Sequence, residues 1–137
     1  MKQKISILFV VFLLFVSCAK TASTEQVAQE NDVAKVTVYY FHGKQRCPTC
    51  VSIQQVAQSA VDTFFANNED VRFVEVDFSV KKNDALAEKY EVAFSSLIIA
   101  TADAYSDITD QAFALATSNP EQLKTIINQE VTKYLNQ

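Results

Sequence analysis

The stretch Val-Tyr-Tyr-Phe-His-Gly-Lys-Gln-Arg-Cys-Pro-Thr-Cys, residues 38–50, places two cysteines three residues apart, between an aromatic run and a helical pattern. If Cys47 is the N-cap of the following helix, Pro48 takes the first helical position, where its fixed φ and missing N–H are tolerated. The free N–H groups and the positive dipole end of that helix then favour the Cys47 thiolate. Such settings lower a cysteine pKa from about 8.5 to roughly 3.5–7.5, so this turn predicts reversible disulfide chemistry.

The residues on either side of the cysteine pair predict one strand and one helix. Residues 36–41 are β-branched or aromatic, which is typical of a strand. After Cys50 the apolar residues recur with the spacing of one helix face. They are Ile53, Val56, Ala57, Ala60, Val61 and Phe64.

Three further elements follow in the middle of the chain. Residues 71–78 predict a second strand, which we interpret as central in its sheet because it is largely apolar. Asn83 or Asp84 can cap a short helix that runs through Tyr90. Residues 97–100 predict a third strand.

The last part of the chain predicts a weak strand and a terminal helix. The weak fourth strand falls around residues 105–113, where turn signals are poor. Asn119 and Gln122 have capping-box spacing around Pro120, and this begins the terminal helix. The order β, α, β, α, β, β, α predicts an α/β fold with a mixed sheet of four strands, or five, flanked by three to four helices. Strands joined through helices should be parallel, and the last two should form an antiparallel hairpin.

The stretch from about residue 36 to residue 135 resembles the thioredoxin-like superfamily. The resemblance lies in the strand that runs into Cys47-Pro48-Thr49-Cys50, and in residues 74–77 (Val-Glu-Val-Asp), 87–92 and 120–123 (Pro-Glu-Gln-Leu). It implies a thioredoxin fold and a thiol-disulfide oxidoreductase. Its cofactor would be the redox-active disulfide itself, and its partners would be protein thiols or disulfides and an electron donor or acceptor.

Three features of that family are missing from this chain. Thioredoxins carry a cis-proline before the third strand, and here that position falls on Ser96, or on Ser95 if the loop shifts by one residue. They also carry a Trp before the first cysteine and a buried Asp below the pair, whereas Arg46 precedes Cys47 and the first strand has no acid. A cis peptide before a non-proline residue costs about 2.5–4 kcal/mol, so we expect the loop to be trans or strained. The resemblance then implies a narrower or different substrate, contacted by the backbone at Ser95 and Ser96.

The two cysteines are assigned different roles. Cys47, the more exposed thiol, is the expected nucleophile, and Cys50, one turn inside the helix, is the expected resolving thiol. Arg46, Lys44 and His42 are the residues expected to tune the Cys47 pKa, because positive potential near the sulfur favours the thiolate. His42, the only histidine, could transfer protons, although a half-buried histidine at a strand end is the simpler interpretation.

Other interpretations of the pair remain open. A close pair such as Cys47 and Cys50 could be an inert structural disulfide, although so small a loop stabilises little. With His42 it supplies only three of the four ligands of tetrahedral zinc, so no metal site is assigned. The alternative function is a thioredoxin-like binding protein, either a metallochaperone for copper or zinc or a redox-regulated adaptor.

The first 34 residues predict export and anchoring. Residues 1–17 have a basic start and an apolar run too short to span a bilayer, which indicates a signal peptide. Ser17 and Cys18 resemble a bacterial lipobox, so we expect Cys18 to carry a lipid. Residues 18–34 form a polar tether, and residues 35–137 form the thioredoxin-like domain. The location would be extracytoplasmic, at a bacterial membrane and facing the periplasm.

Charge and composition exclude several classes of protein. The formal charge is −4, and it becomes −6 without residues 1–17, which hold two lysines and no acid. An acidic chain without a basic stripe argues against nucleic acid as a partner. One glycine excludes collagen-like repeats, and three cysteines are too few for a disulfide scaffold.

The assignment of Cys18 can be tested by substitution. We expect Cys18→Ala to release the protein from the membrane fraction or to leave the precursor uncleaved, because the lipid attachment atom is lost. Fractionation and immunoblotting measure both outcomes. A variant that matures and fractionates like the wild type would show that Cys18 carries no anchor.

Overall fold

The computed structural model describes residues 34–137. The predicted signal peptide, Cys18 and the tether through residue 33 therefore lie outside the described residues. Within residues 34–137, no helix combines the length and apolar character needed to cross a membrane.

In the part of the chain that the structure describes, four strands form one mixed sheet in the order β2-β1-β3-β4. They are β1 (Val36–His42), β2 (Val71–Asp77), β3 (Ser96–Ala100) and β4 (Tyr105–Asp107). Strand β1 pairs with β2 in parallel and with β3 antiparallel, and β3 pairs antiparallel with β4. The strand that leads to the two cysteines therefore has a neighbour on each side.

Within the described residues, four α-helices and one 3₁₀ turn accompany the sheet. The helices are α1 (Pro48–Phe64), α2 (Asp84–Lys89), α3 (Thr109–Leu115) and α4 (Pro120–Leu135), and the 3₁₀ turn is Lys81–Asn83. This confirms the predicted α/β class, the mixed four-stranded sheet and the predicted helices after Cys50 and Asn119. Asn83 lies at the N-cap of α2 but its side chain donates to the Asp77 carbonyl at 2.8 Å, so the expected side-chain cap is absent there.

The direction of β3 corrects the prediction that all strands joined through helices are parallel. Ser96, the first residue of β3, pairs with Phe41 near the end of β1, so β3 begins at the end of the sheet where β1 finishes. Helix α2 has six residues and spans only about 9 Å, whereas a seven-residue strand such as β2 spans about 23 Å. So short a helix does not return the chain to the start of the sheet.

The position of β2 corrects a second prediction, because this apolar strand lies at an edge of the described sheet. Val71 packs with residues of α1 and α4 on one face, and Val76 packs with Ala87 of α2 on the other. Its apolar composition therefore results from the covering of both faces and not from two neighbouring strands.

The weak strand predicted at residues 105–113 is only half correct. Strand β4 ends at Asp107, Ile108 is the N-cap residue of α3, and residues 109–113 belong to α3. Asp107 Oδ1 accepts from the Thr109 N–H at 2.8 Å, and Thr109 Oγ1 accepts from the Leu97 N–H at 3.0 Å. Ile108, Ala112 and Ala116 are buried and lie four residues apart, which is the spacing of one helix face. The sequence analysis did not recognise this spacing.

The core has two layers, one on each face of the sheet. Helices α1, α3 and α4 pack on one face, against Val36, Val38 and Tyr40 of β1. Helix α2 packs on the other face, where Phe41 and Tyr90 lie in a smaller cluster. Alternate residues of β1 thus anchor both layers, and α1 is fixed directly over the strand that precedes it.

The N-cap of α4 offers a test of this local chemistry. Asn119 Oδ1 accepts from the Gln122 N–H at 3.2 Å, and Pro120 follows in the first turn. We expect Asn119→Ala to lower the free energy of unfolding by about 1 kcal/mol, since a helix N–H loses its acceptor. Asn119→Ser should retain most of the stability. Urea denaturation measures both variants, and equal losses would contradict the capping role.

Candidate functional site

Cys47 is the N-cap residue of α1, as the sequence predicts. Its backbone is extended, with φ −78° and ψ 160°, and Pro48 follows in the first turn. The Cys47 Sγ accepts a hydrogen bond from the Cys50 N–H at 3.0 Å. The sulfur of Cys47 therefore lies against the free N–H groups of the helix, where negative charge is stabilised.

Cys47 and Cys50 form a disulfide with their Cα atoms 5.0 Å apart, within the usual range for such bonds. Cys47 is exposed, whereas only 6% of Cys50 is accessible to solvent. The two sulfurs are chemically distinct for this reason. A substrate can reach Cys47 directly, and Cys50 is reached only through its partner.

Tyr40 of β1 supports the cysteine pair from below. Its side chain is fully buried, and its hydroxyl donates to the Cys50 carbonyl oxygen at 2.7 Å. A buried hydroxyl needs such a partner. The bond joins the central strand to the first turn of α1 and fixes the height of the cysteines above the sheet.

Arg46 lies beside the pair, but its charge is already engaged. Its Nη1 donates to Glu75 Oε1 at 3.1 Å, and its Nη2 donates to Gln54 Oε1. The guanidinium carbon also lies 5.5 Å from the centre of the Tyr40 ring. Arg46 is therefore held along the flank of α1 and β2, and its role in tuning the Cys47 pKa stays a prediction.

His42 ends β1 and is almost completely buried. Its Nε2 lies 2.9 Å from Glu75 Oε1, and its Nδ1 lies 2.9 Å from the Gly43 carbonyl oxygen. The ring also stacks against Tyr40. Each ring nitrogen thus faces an acceptor oxygen, and a neutral imidazole can donate to only one of them.

Glu75 is the residue of this site that the sequence analysis missed. It pairs with Tyr40 in the ladder between β1 and β2, and it contacts His42, Arg46 and Gln54. The sequence pattern could have indicated this residue, because in the alternation of β2 Glu75 shares a face with Val71 and Phe73. An acid on the face of a strand that packs against a helix needs polar partners.

Lys44 is exposed in the loop between β1 and α1. At the end of β2, hydrogen bonds hold the pKa of Asp77 below its usual value, chiefly the bond from the Ser79 hydroxyl and then the one from the Ser79 N–H. The positive charge of Lys44 lowers the Asp77 pKa further, by a smaller amount. The charge of Lys44 thus acts on the end of β2.

Ser95 and Ser96 lie at the end of the sheet where β1 finishes and the loop to α1 begins. Ser96 is buried and its hydroxyl donates to the Phe94 carbonyl at 2.9 Å, while the Phe94 side chain is 61% exposed. Every peptide bond in the described residues is trans, as expected for a chain without proline at this position.

The fold resembles known thioredoxin-like structures. A thioredoxin of Fasciola hepatica has a TM-score of 0.50 and 19% identity, and the match covers 72% of this chain and 84% of that one. The zinc-bound form of human ERp44 has a TM-score of 0.53 and 17% identity; the match covers 72% of this chain but only 27% of ERp44. No model of a protein family matches the sequence, and no curated protein does. The described domain therefore has a thioredoxin-like fold.

The unequal exposure of the two sulfurs predicts unequal reactivity. After reduction, iodoacetamide at mildly acidic pH should label Cys47 before Cys50, because Cys47 is exposed and lies at the helix N-terminus. Peptide mass spectrometry of a time course measures both sites. Equal labelling rates would contradict the assigned roles.

Proposed function

We propose that this protein is a thiol-disulfide oxidoreductase that works through the Cys47–Cys50 pair. The observation that carries the proposal is an exposed N-cap cysteine bonded to a buried cysteine one turn further along the same helix. The thioredoxin-like fold supports it at the level of architecture. An enzyme of this class needs no cofactor other than its own disulfide.

In the reducing direction the mechanism has two displacement steps. The Cys47 thiolate attacks one sulfur of a substrate disulfide, a mixed disulfide forms, and the other substrate sulfur leaves as a thiolate that takes a proton. Cys50, as thiolate, then attacks the Cys47 sulfur and releases the second substrate thiol. Two electrons pass from the protein dithiol to the substrate, and the protein ends as the disulfide. The reverse sequence oxidises a substrate dithiol.

The substrates and location extend this proposal. We propose exported proteins as substrates, with a separate donor or acceptor that restores the pair, and a lipid on Cys18 that tethers the domain outside the cytoplasm. The signal-like residues 1–17 and the polar tether support this part. The reduction potential decides the direction: a value near −270 mV gives a reductant, and one near −120 mV gives an oxidant.

A metal-binding role is the second candidate. Ser96 stands where thioredoxins have proline, and we propose that a more open loop would let the reduced pair take a soft ion such as Cu(I). Within residues 34–137, no group of three or more His, Cys, Asp or Glu side chains is placed to hold a metal. Metal analysis of anaerobically reduced protein, beside a disulfide reduction assay, separates the two candidates. Turnover without bound metal supports the enzyme, and one tightly bound ion without turnover supports the binding protein.

Single cysteine variants test the enzymatic proposal most directly. Cys50→Ala should accumulate mixed disulfides with partner proteins, at least about tenfold above Cys47→Ala, because only Cys50 can release the intermediate on Cys47. Non-reducing electrophoresis of acid-quenched cells measures the adducts. The matched control is Cys47→Ala, which keeps one cysteine of the pair but loses the exposed one. Equal amounts of adduct from both variants would refute the assigned order of attack.

A further inference from the structure

We propose that Glu75 is a positioning residue for the cysteine pair: by holding Arg46 it balances the charge beside Cys47 and so sets the reduction potential. This inference rests on the proposed function, because it concerns how the same pair is tuned. Glu75 lies on β2, outside the turn that carries the cysteines. It therefore adds a residue that the Cys-Pro-Thr-Cys motif does not contain.

The first argument is that the Glu75 carboxylate contacts three polar side chains. Its Oε1 lies 2.9 Å from His42 Nε2 and 3.1 Å from Arg46 Nη1, and its Oε2 accepts from Gln54 Nε2 at 2.6 Å. Both carboxylate oxygens are thus used, on a side chain that is still 36% exposed. Gln54 and Arg46 also bond to each other. Glu75 is the common partner of all three side chains.

The second argument is that this cluster reaches both cysteines. Arg46 is the residue directly before Cys47, and its guanidinium lies over the Tyr40 ring. The Tyr40 hydroxyl in turn donates to the carbonyl of Cys50. A change in the position of the Arg46 side chain therefore changes the electrostatic potential next to Cys47. It also changes the contact with Tyr40, which hydrogen-bonds to the carbonyl of Cys50.

The third argument is electrostatic. The guanidinium of Arg46 carries a full positive charge, and the Glu75 carboxylate at 3.1 Å offsets most of its field. Without that carboxylate, Arg46 keeps Gln54 as its remaining side-chain hydrogen-bond acceptor and gains freedom to turn toward the sulfur of Cys47. Positive potential there stabilises the thiolate, which favours the dithiol over the disulfide. Glu75 should therefore hold the pair at a more reducing potential than Arg46 alone would give.

The main experiment measures the equilibrium with glutathione. Two glutathione molecules reduce the Cys47–Cys50 disulfide to the dithiol and leave as one glutathione disulfide. For Glu75→Gln we expect the equilibrium constant for this reduction to rise about threefold to tenfold. The effect is modest because the ion pair between Glu75 and Arg46 is partly exposed to solvent. A tenfold rise corresponds to about 30 mV. Glu69→Gln, the same change at an exposed glutamate just before β2, should leave the constant unchanged.

A double-mutant cycle tests whether Glu75 acts through Arg46. Arg46→Gln alone should shift the equilibrium constant in the opposite direction, toward the disulfide. In the Arg46→Gln background, adding Glu75→Gln should produce less than half of its effect in the wild type, since no guanidinium remains to be released. Equal effects in both backgrounds would overturn the positioning role, because Glu75 would then act only through its own charge. Glu75→Asp should restore part of the wild-type constant.

A second measurement keeps this inference separate from the proposed function. In chemically reduced protein, Glu75→Gln should raise the rate of Cys47 alkylation at pH 6 by about threefold, whether or not any substrate turns over. Thermal unfolding of each variant checks that the fold is kept. If the wild type fails to exchange with glutathione or substrates, the proposed function fails, and the alkylation rate still decides the inference. Unchanged alkylation in folded Glu75→Gln would overturn the role of Glu75.

Discussion

The hydrogen bond from the Tyr40 hydroxyl to the Cys50 carbonyl is the contact on which the site depends. Tyr40 belongs to β1, an inner strand of the described sheet that is paired on both sides and contributes residues to both layers of the core. A buried hydroxyl without a partner is costly, so this bond selects one position of the first turn of α1. Once that turn is placed, the exposure of Cys47 and the burial of Cys50 follow. The asymmetry that disulfide exchange requires is thus set by the core.

The charges around the pair are arranged in two parts. The helix N-terminus stabilises negative charge on Cys47 through fixed backbone dipoles that no side-chain movement removes. Arg46 could add a larger and adjustable contribution, but Glu75 holds and balances it. The backbone therefore supplies a constant part of the potential, and the side-chain cluster supplies a part that substitution can change in either direction. Proteins that share a Cys-x-x-Cys motif differ widely in reduction potential.

The sequence predicts the local features of the fold better than its long-range ones. The N-cap role of Cys47, helix α1 and the start of α4 each depend on neighbouring residues, and each is confirmed. The direction of β3 depends on how far α2 carries the chain, and the edge position of β2 depends on what covers its faces. Glu75 lies 28 residues after Cys47, and only strand pairing brings it to Tyr40. Features that depend on neighbouring residues can be predicted from a single sequence, whereas contacts that depend on strand pairing cannot.

The loop before β3 shows how this chain manages without the proline of thioredoxins. A proline fixes φ and removes an N–H, and it would hold a loop in one shape. Here the Ser96 hydroxyl donates to the Phe94 carbonyl, and Ser96 is the buried first residue of β3, paired with Phe41. The loop is thus restrained by one side-chain bond and by the strand ladder, and its peptide bonds stay trans. The same arrangement leaves the Phe94 ring exposed at the end of the sheet where the cysteine loop starts. Burying that ring against another apolar group would remove apolar surface from water.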